Sequence, residues 1–336
     1  MNILITGGAG YIGSHTSITL AKAGHKITIV DNLCNSNIEV IGQITKIIGS
    51  KVNFINGDVR NTSLMTKILK EHRIEGVIHF AGLKSITESV ANPLLYYSNN
   101  VLGSISLIEA MQLNQIKTFV FSSSAAVYGG PAYLPYDEKH PTNPINPYGN
   151  SKLQVETILK DWAISDHTVK VSILRYFNPV GAHESGLIGE YPTQFPNNLM
   201  PYITKVISGS LTHLNIYGND YETRDGTGER DYIHVMDLAE GHLAALSHLK
   251  NNFGVHIYNL GTGQSTTVLE LIKEFEKVNR IEIPYKFSSR REGDLPSYYS
   301  DTSKAFKDLG WKTKYDLEQS CQDTYRHVKY IVQLSD

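Results

Sequence analysis

The chain has 336 residues, 41% of them hydrophobic and 19% charged, with a formal net charge of -2. That balance describes a globular protein with a sizeable core and excludes a disordered chain. It also excludes a nucleic-acid groove, which needs clustered Lys and Arg to displace phosphate counterions.

The length fits two compact units or one large α/β domain with an appendage. Residues 2–6 read as a short apolar strand, 11–23 as a helix stopped by Gly24, and 26–31 as a second strand. Strands follow near 52–56, 76–80, 117–122 and 169–175, with helices near 61–72, 93–114 and 148–164. The alternation predicts a Rossmann-like, doubly wound parallel sheet covered by helices on both faces. After about Phe177 it is broken by Asn178, Pro179, Gly181, Gly186, Gly189, Pro192, Pro196 and Pro201. A smaller mixed α/β lobe is expected from there, giving a first domain over 1–178 and a lobe over 179–336, with 231–260 returning to the main sheet. No repeat or coiled-coil heptad is visible. Cys34 and Cys321 are too few for a disulfide framework or a zinc site and read as reduced thiols. Met1 runs straight into a strand, and no apolar stretch is long enough to span a bilayer, so a cytoplasmic protein with no membrane partner is expected.

Gly7, Gly10 and Gly13 fall between the first strand and the first helix. Their spacing permits a tight turn, close approach of backbone to a pyrophosphate, and a helix N-terminus facing the phosphates. Alone, the pattern is equally a flexible loop. Asp31, at the end of the second strand, adds an acceptor for adenosine ribose hydroxyls that repels a 2′-phosphate, so the cofactor expected is NAD rather than NADP. Asp58 ends the third strand, and Phe80, Ala81, Gly82 and Lys84 follow the fourth, on the edge where such sheets bind ligands. Either Asp58 bonds the adenine amine and Lys84 a cofactor hydroxyl or phosphate, or these are turn residues and a solvated lysine.

Tyr148 and Lys152 stand four apart on a helix opened by proline-rich 141–147, and so share a face. Ser122, Ser123 and Ser124 end the strand before it. A phenol of pKa about 10 is too weak a base at neutral pH. One cation about 6 Å away, at an effective dielectric of ~20, lowers that by about two units, and Lys152 with an oxidised nicotinamide by about four. The pair makes chemical sense beside NAD; without it, a Tyr and a Lys so spaced are an exposed helical face.

With Gly7 to His15, Asp31 to Ser36, His79 to Lys84, Ser122 to Gly129, Arg175 to His183, Asn197 to Tyr202, Arg230 to Asp237 and Arg290 to Pro296, the chain resembles the extended short-chain dehydrogenase/reductase family. Within it, nearly the whole chain resembles the UDP-hexose 4-epimerases. The resemblance implies an isomerase of galactose metabolism that interconverts UDP-glucose and UDP-galactose through a 4-keto sugar and transient NADH, without a metal. It implies Tyr148 as the base, Lys152 as its electrostatic partner and Ser124 as the hydroxyl on the sugar O4. Around NAD it implies Gly7, Gly10, Tyr11, Ile12, Gly13, Asp31, Asn32, Asn35, Ser36, Asp58, Val59, Phe80, Ala81, Gly82, Lys84, Asn99, Ser122, Tyr148, Lys152, Tyr176 and Phe177. Around the UDP-sugar it implies Lys84, Ser124, Tyr148, Asn178, Asn198, Leu199, Tyr217, Arg230, Tyr232, Arg291, Asp294 and Tyr298. In it, Arg230 and Arg291 meet phosphate oxygens, Asp294 the ribose, and Tyr217 the uracil; otherwise the arginines read as ordinary surface ion pairs.

Ala126 stands where the family often carries Thr, and Asn150 where a basic residue is common, and neither change removes the base. Tyr298, bordering the sugar, should crowd a 2-acetamido group and favour the plain hexoses. A homodimer is implied through the helices near 93–114 and 150–164, whose Leu107, Ile108, Leu159 and Trp162 are equally candidates for the chain's own core. Rival readings are a UDP-N-acetylglucosamine 4-epimerase, a sugar-nucleotide 4,6-dehydratase or decarboxylase, and a non-catalytic NAD-binding sensor. Dehydratases carry Asp-Glu after the active-site hydroxyl, where this chain has Ala125 and Ala126.

Overall fold

A computed structural model describes residues 1–190, 198–291 and 293–335; Pro192, Pro196 and Asn197 lie outside the described residues. The first half alternates as β1 (Asn2–Thr6), α1 (Tyr11–Lys22), β2 (Lys26–Asp31), α2 (Glu39–Ile48), β3 (Asn53–Asn56), α3 (Thr62–Glu71) and β4 (Gly76–His79). Next come α4 (Ile86–Ala91), α5 (Pro93–Tyr96), a π-helical segment (Tyr97–Leu102), α6 (Gly103–Leu113), β5 (Thr118–Ser122), a 3₁₀ turn (Ala125–Val127), α7 (Pro147–Ser165) and β6 (Lys170–Tyr176). The remainder is β7 (Asn178–Val180), α8 (Leu199–Ile207), β8 (Leu214–Tyr217), β9 (Glu229–Arg230), β10 (Tyr232–His234), α9 (Val235–His248) and β11 (Gly254–Leu260). It ends with β12 (Thr266–Thr267), α10 (Val268–Asn279), β13 (Tyr285–Ser288), β14 (Ser297–Tyr298), α11 (Ser303–Leu309) and α12 (Leu317–Ser335).

Seven strands form one parallel sheet in the order β11-β6-β5-β4-β1-β2-β3. Successive residues of β1 point to opposite faces and both faces are buried: Leu4 packs with Met65, Leu107 and Leu159, and Ile3 and Ile5 with Ile18 and Leu246. The strand order reverses between β1 and β4, which opens a crevice at their C-terminal ends.

Of the segment 231–260, β11 joins the sheet edge beside β6 and α9 packs on α1, while β10 pairs instead with β7. Smaller parallel and mixed pairings, β13 with β8 and β12-β9-β14, build the second lobe around Met200, Ile203, Leu271, Phe275 and Cys321.

The expected continuous helix over 93–114 is interrupted by the π segment, whose extra residue per turn carries Asn100 inward until it is 3% exposed. A 3.6-residue hydrophobic period cannot register one inserted residue. The helix α2 also went unanticipated. Among the described residues no helix is long and apolar enough to cross a membrane.

Gly13 packs so tightly under the first turn that a Cβ would overlap the Gly7 carbonyl oxygen and lie 2.8 Å from Gly8 Cα. Because both obstacles are backbone, Gly13→Ala is expected to destabilise by about 1–3 kcal/mol. The check is a lowered urea midpoint at unchanged slope.

Candidate active site

The crevice begins at the glycine turn. Gly7 adopts φ 69°, its N–H donates to the Val30 carbonyl (2.8 Å), and a Cβ there would lie 2.6 Å from the Ala81 nitrogen. Gly10 caps α1 with no side chain, so the first-turn N–H groups face outward as a phosphate seat. Tyr11 Oη donates to the Gly181 carbonyl (2.6 Å), joining this helix end to the second lobe, while Ile12 packs on the core.

Asp31 fastens the turn: its carboxylate accepts from Ala9 N–H (3.0 Å), Leu33 N–H (2.9 Å) and Ser36 Oγ (3.0 Å). Asn32 reaches Asp58 (3.3 Å), and Asn35 is exposed on the same loop. The bonds from Arg60, at 2.9 and 2.6 Å, hold the Asp58 carboxyl down at about 2; Val59 beside it is buried in the core. Across the crevice Phe80 and Ala81 both donate to the Thr6 carbonyl, Gly82 abuts Asn100, and Lys84 Nζ donates to Glu190 (2.6 Å). Asn99 is turned back onto the Leu95 carbonyl (2.9 Å); its neighbour Asn100 instead bonds Leu83 N–H (2.8 Å), Leu83 O (3.1 Å) and Ser151 (2.9 Å). Asn100 and Glu190 escaped sequence reasoning, the first because of the π insertion and the second because its partner lies 106 residues away.

Asn146 accepts from Gly149 N–H (2.8 Å) to start α7, with Pro147 at the first position, and a Cβ on Gly149 would lie 2.7 Å from the Ala126 carbonyl oxygen. The helix therefore seats directly on the turn that follows Ser124, and Tyr148 and Lys152 are buried there together. Burial pushes the Tyr148 phenol up, while the Ser124 hydroxyl and the Lys84 charge pull it down. Lys152 Nζ donates to the Ser122 carbonyl (2.8 Å) and lies 5.0 Å from the Phe121 ring; burial draws it down to about 8, against the pull of Glu156. Sequence reasoning pairs the phenol with Lys152 and the oxidised nicotinamide, and Lys84 is a further charge acting on it. The Lys152 ammonium is committed to a strand-end carbonyl, and Lys84 supplies the cation felt by Tyr148. Ser122 Oγ bonds Tyr176 Oη (2.7 Å), and Ser124 Oγ accepts from Ala126 N–H (3.2 Å).

Sequence reasoning also missed Glu156 and Arg175, a fully buried pair. Arg175 Nε and Nη2 donate to Glu156 at 3.0 and 2.6 Å, and Ser123 Oγ donates to the same carboxylate at 2.6 Å. A charged residue inside an otherwise apolar strand was the available signal.

On the far wall Asn178 N–H donates to the Asp231 carbonyl (3.0 Å), Asn198 and Leu199 open α8, and Tyr232 is buried. Arg230 donates to the carbonyls of Glu229 and Leu295 (2.8 Å each) and to the Asp294 carboxylate. Arg291 covers the Tyr217 ring, 3.9 Å from its centroid. Arg230 and Asp294, expected on phosphate and ribose, here bond each other, because β14 pairs alongside β9 and brings the two charges together. Tyr298 packs against Phe177 and Tyr136, with ring centroids 5.2 and 4.9 Å away, and its buried hydroxyl has no hydrogen-bond partner among the described residues.

A doubly wound sheet with a glycine turn at the switch point and a Ser, Tyr and Lys gathered beside it defines the extended short-chain dehydrogenase/reductase class. A family model described as GDP-mannose 4,6 dehydratase matches residues 4–324. A UDP-glucose 4-epimerase of Pasteurella multocida is 53% identical over 98% of both chains. Among solved structures, an epimerase of Stenotrophomonas maltophila with bound NAD and formylated UDP-arabinopyranose superposes at TM-score 0.97, with 46% identity over 99% of both chains. One from Bifidobacterium longum in complex with NAD+ and UDP gives 0.95, with 46% identity over 98% of both. The chain belongs to the UDP-glucose 4-epimerase family.

Lys152 holds its proton less readily folded than unfolded, its value falling from 10.5 to about 8. The cost is complete below that folded value and fades as pH rises towards the unfolded one. Lys152→Met removes the cost but strands the Ser122 carbonyl. The variant is expected to be more stable by about 1–2 kcal/mol at neutral pH, the advantage disappearing above roughly pH 10, as urea midpoints across pH would show.

Proposed function

We propose that the chain is an NAD-dependent UDP-glucose 4-epimerase interconverting UDP-glucose and UDP-galactose, serving galactose metabolism and sugar-nucleotide supply. The observation that carries this reading is the convergence of Ser124, Tyr148 and Lys152 at the strand ends next to the glycine turn. The cradle fits NAD: Gly7 and Gly13 leave room for backbone alone, and the Asp31 carboxylate stands at the end of β2. NAD bound there supplies the reversible oxidation of the sugar at C4.

The chain's own residues do the rest. Ser124 positions the 4-hydroxyl against Tyr148, which takes the O4 proton during oxidation and returns it during reduction. Lys152 and Lys84 place positive charge around the phenolate. Asn178, at the end of the first domain, and Asn198, Leu199, Tyr217, Arg230, Tyr232, Arg291 and Asp294 in the second lobe hold the UDP portion, which requires the Arg230–Asp294 pair to open so that the guanidinium meets phosphate. Holding UDP while the keto sugar turns is what exposes either face of C4 to the same oxidant. The division at 178/179 thus separates the NAD half from the UDP half.

Ala125 and Ala126 bring no carboxyl to the site, so the water elimination of a dehydratase lacks its acid. Tyr298, walled in by Phe177 and Tyr136, disfavours N-acetylated hexoses.

The reading carries with it a cytoplasmic homodimer. Leu107, Ile108, Leu159 and Trp162 are committed to the chain's own core, so the dimer contact would use Leu94, Leu102, Leu113 and Ile164, which are exposed on α5, the π segment, α6 and α7.

Mixing the protein with UDP-galactose and assaying UDP-glucose, with no added reductant or metal, tests the activity; no product would refute it. Tyr148→Phe is expected to lower kcat by about 10²- to 10⁴-fold while retaining NAD, and near-normal turnover would remove Tyr148 as the base. The wild-type protein is expected to prefer plain over N-acetyl sugars by roughly ten- to a hundredfold in kcat/KM, and Tyr298→Cys to narrow the gap. Equal kcat/KM on both sugar pairs in the unaltered protein would refute the wall.

A further inference from the structure

Between Arg230 and Tyr232 lies Asp231, whose fully buried carboxylate accepts five hydrogen bonds. Thr262 N–H and Thr262 Oγ1 donate to Oδ1, both at 2.7 Å. Gly263 N–H (3.1 Å), Ser300 N–H (3.2 Å) and Ser300 Oγ (2.6 Å) donate to Oδ2. The backbone of the same residue is equally committed: its N–H donates to the Tyr298 carbonyl (3.1 Å), and its carbonyl accepts from Asn178 N–H (3.0 Å). The loop carrying Thr262 and Gly263 leaves the edge strand β11 of the main sheet, and it closes down so far that a Cβ on Gly261 would overlap both Asp231 Oδ2 and Ser300 Oγ. One side chain thereby ties the main sheet to β9, β10 and the segment just after β14.

Tyr298 sits inside that clamp. Asp231 holds its carbonyl directly, and holds Ser300 two residues further on through both a backbone and a side-chain bond. The Tyr298 hydroxyl has no partner among the described residues, so the ring is placed by packing against Phe177 and Tyr136 and by the backbone under it. We infer that Asp231 is the positioning residue that fixes the Tyr298 wall against the sugar, and that it thereby sets the discrimination between plain and 2-acetamido hexoses. The inference rests on the reading of Tyr298 given above.

The chemistry demands a carboxylate. Every neighbour is a donor, and three of the five are backbone N–H groups that cannot turn round. An Asn side chain must direct its NH₂ at Thr262 N–H or at the N–H groups of Gly263 and Ser300, so one loop has to retreat. Retreat of the Ser300 segment frees the Tyr298 backbone, and the ring then yields to a larger substituent.

The experiment measures kcat/KM for UDP-galactose and UDP-GalNAc, with NAD content and melting temperature, on holoenzyme carrying Asp231→Asn, Ser300→Ala or Tyr298→Cys. The plain-to-acetamido ratio is expected to fall about tenfold in Asp231→Asn and roughly two- to threefold in Ser300→Ala, which loses one bond of five, with NAD content unchanged. Ser300→Ala keeps the test decisive if Asp231→Asn does not fold. If Tyr298→Cys lowers the ratio while both clamp variants keep the wild-type ratio, Asp231 has no part in selectivity and the inference is overturned. A clamp variant that melts earlier and loses kcat/KM equally on both sugars assigns Asp231 a purely structural role and overturns it too. A ratio untouched by Tyr298→Cys removes the wall itself, and the clamp's role in selectivity with it.

Discussion

The site depends on how closely the first turn of α7 seats against the turn after β5. With only a hydrogen on Gly149, the helix backbone comes down on the Ala126 carbonyl, and the face bearing Tyr148, Lys152 and Glu156 is driven into the protein. Burying a lysine and a glutamate on one helix face is costly unless each finds a partner. Lys152 takes the Ser122 carbonyl and Glu156 takes Arg175 and Ser123. Those partners are the C-terminal ends of β5 and β6, so satisfying the helix charges locks the two strand ends that carry Ser122, Ser124 and Tyr176. Packing and catalytic geometry are the same set of contacts.

The electrostatics follow from that seat. A buried phenol is pushed towards its protonated form, and the Ser124 hydroxyl and the Lys84 charge, from the loop after β4, work against the push. Burial also weakens Lys152's hold on its own proton, with Glu156 opposing the loss. In the role proposed for it, Tyr148 needs more positive charge than Lys84 brings, which the bound cofactor would add.

How much of this was legible in the sequence divides along physical lines. Strands buried on both faces, the glycines at the first turn and the four-residue spacing of Tyr148 and Lys152 are local patterns, and they placed the sheet strands within one or two residues and the Tyr and Lys on one buried helix face. Contacts between distant segments left weaker traces. Glu190 opposite Lys84, Arg175 opposite Glu156 and the Thr262 and Ser300 donors on Asp231 are each set by tertiary closure, which residue spacing cannot encode. The π insertion that buries Asn100 in place of Asn99 is invisible to a helical period. Arg230 and Asp294 were expected on phosphate and ribose, whereas their bond to each other follows from the β9–β14 register.

The cluster of Ala125, Val127, Tyr128, Tyr136 and Phe177, with Tyr298 packed on it, links two choices that look independent. Ala125 is 1% exposed within it, so a carboxyl side chain at that position would have to be buried among aromatic rings. The packing that excludes an eliminating acid is the same packing that backs Tyr298. Dehydratase-like residues after Ser124 would thus displace the rings on which Tyr298 packs, and a smaller residue at 298 would loosen the packing around Ala125. On the function proposed above, the bond broken and the sugar admitted both rest on one apolar cluster, so a change in either is expected to reach the other.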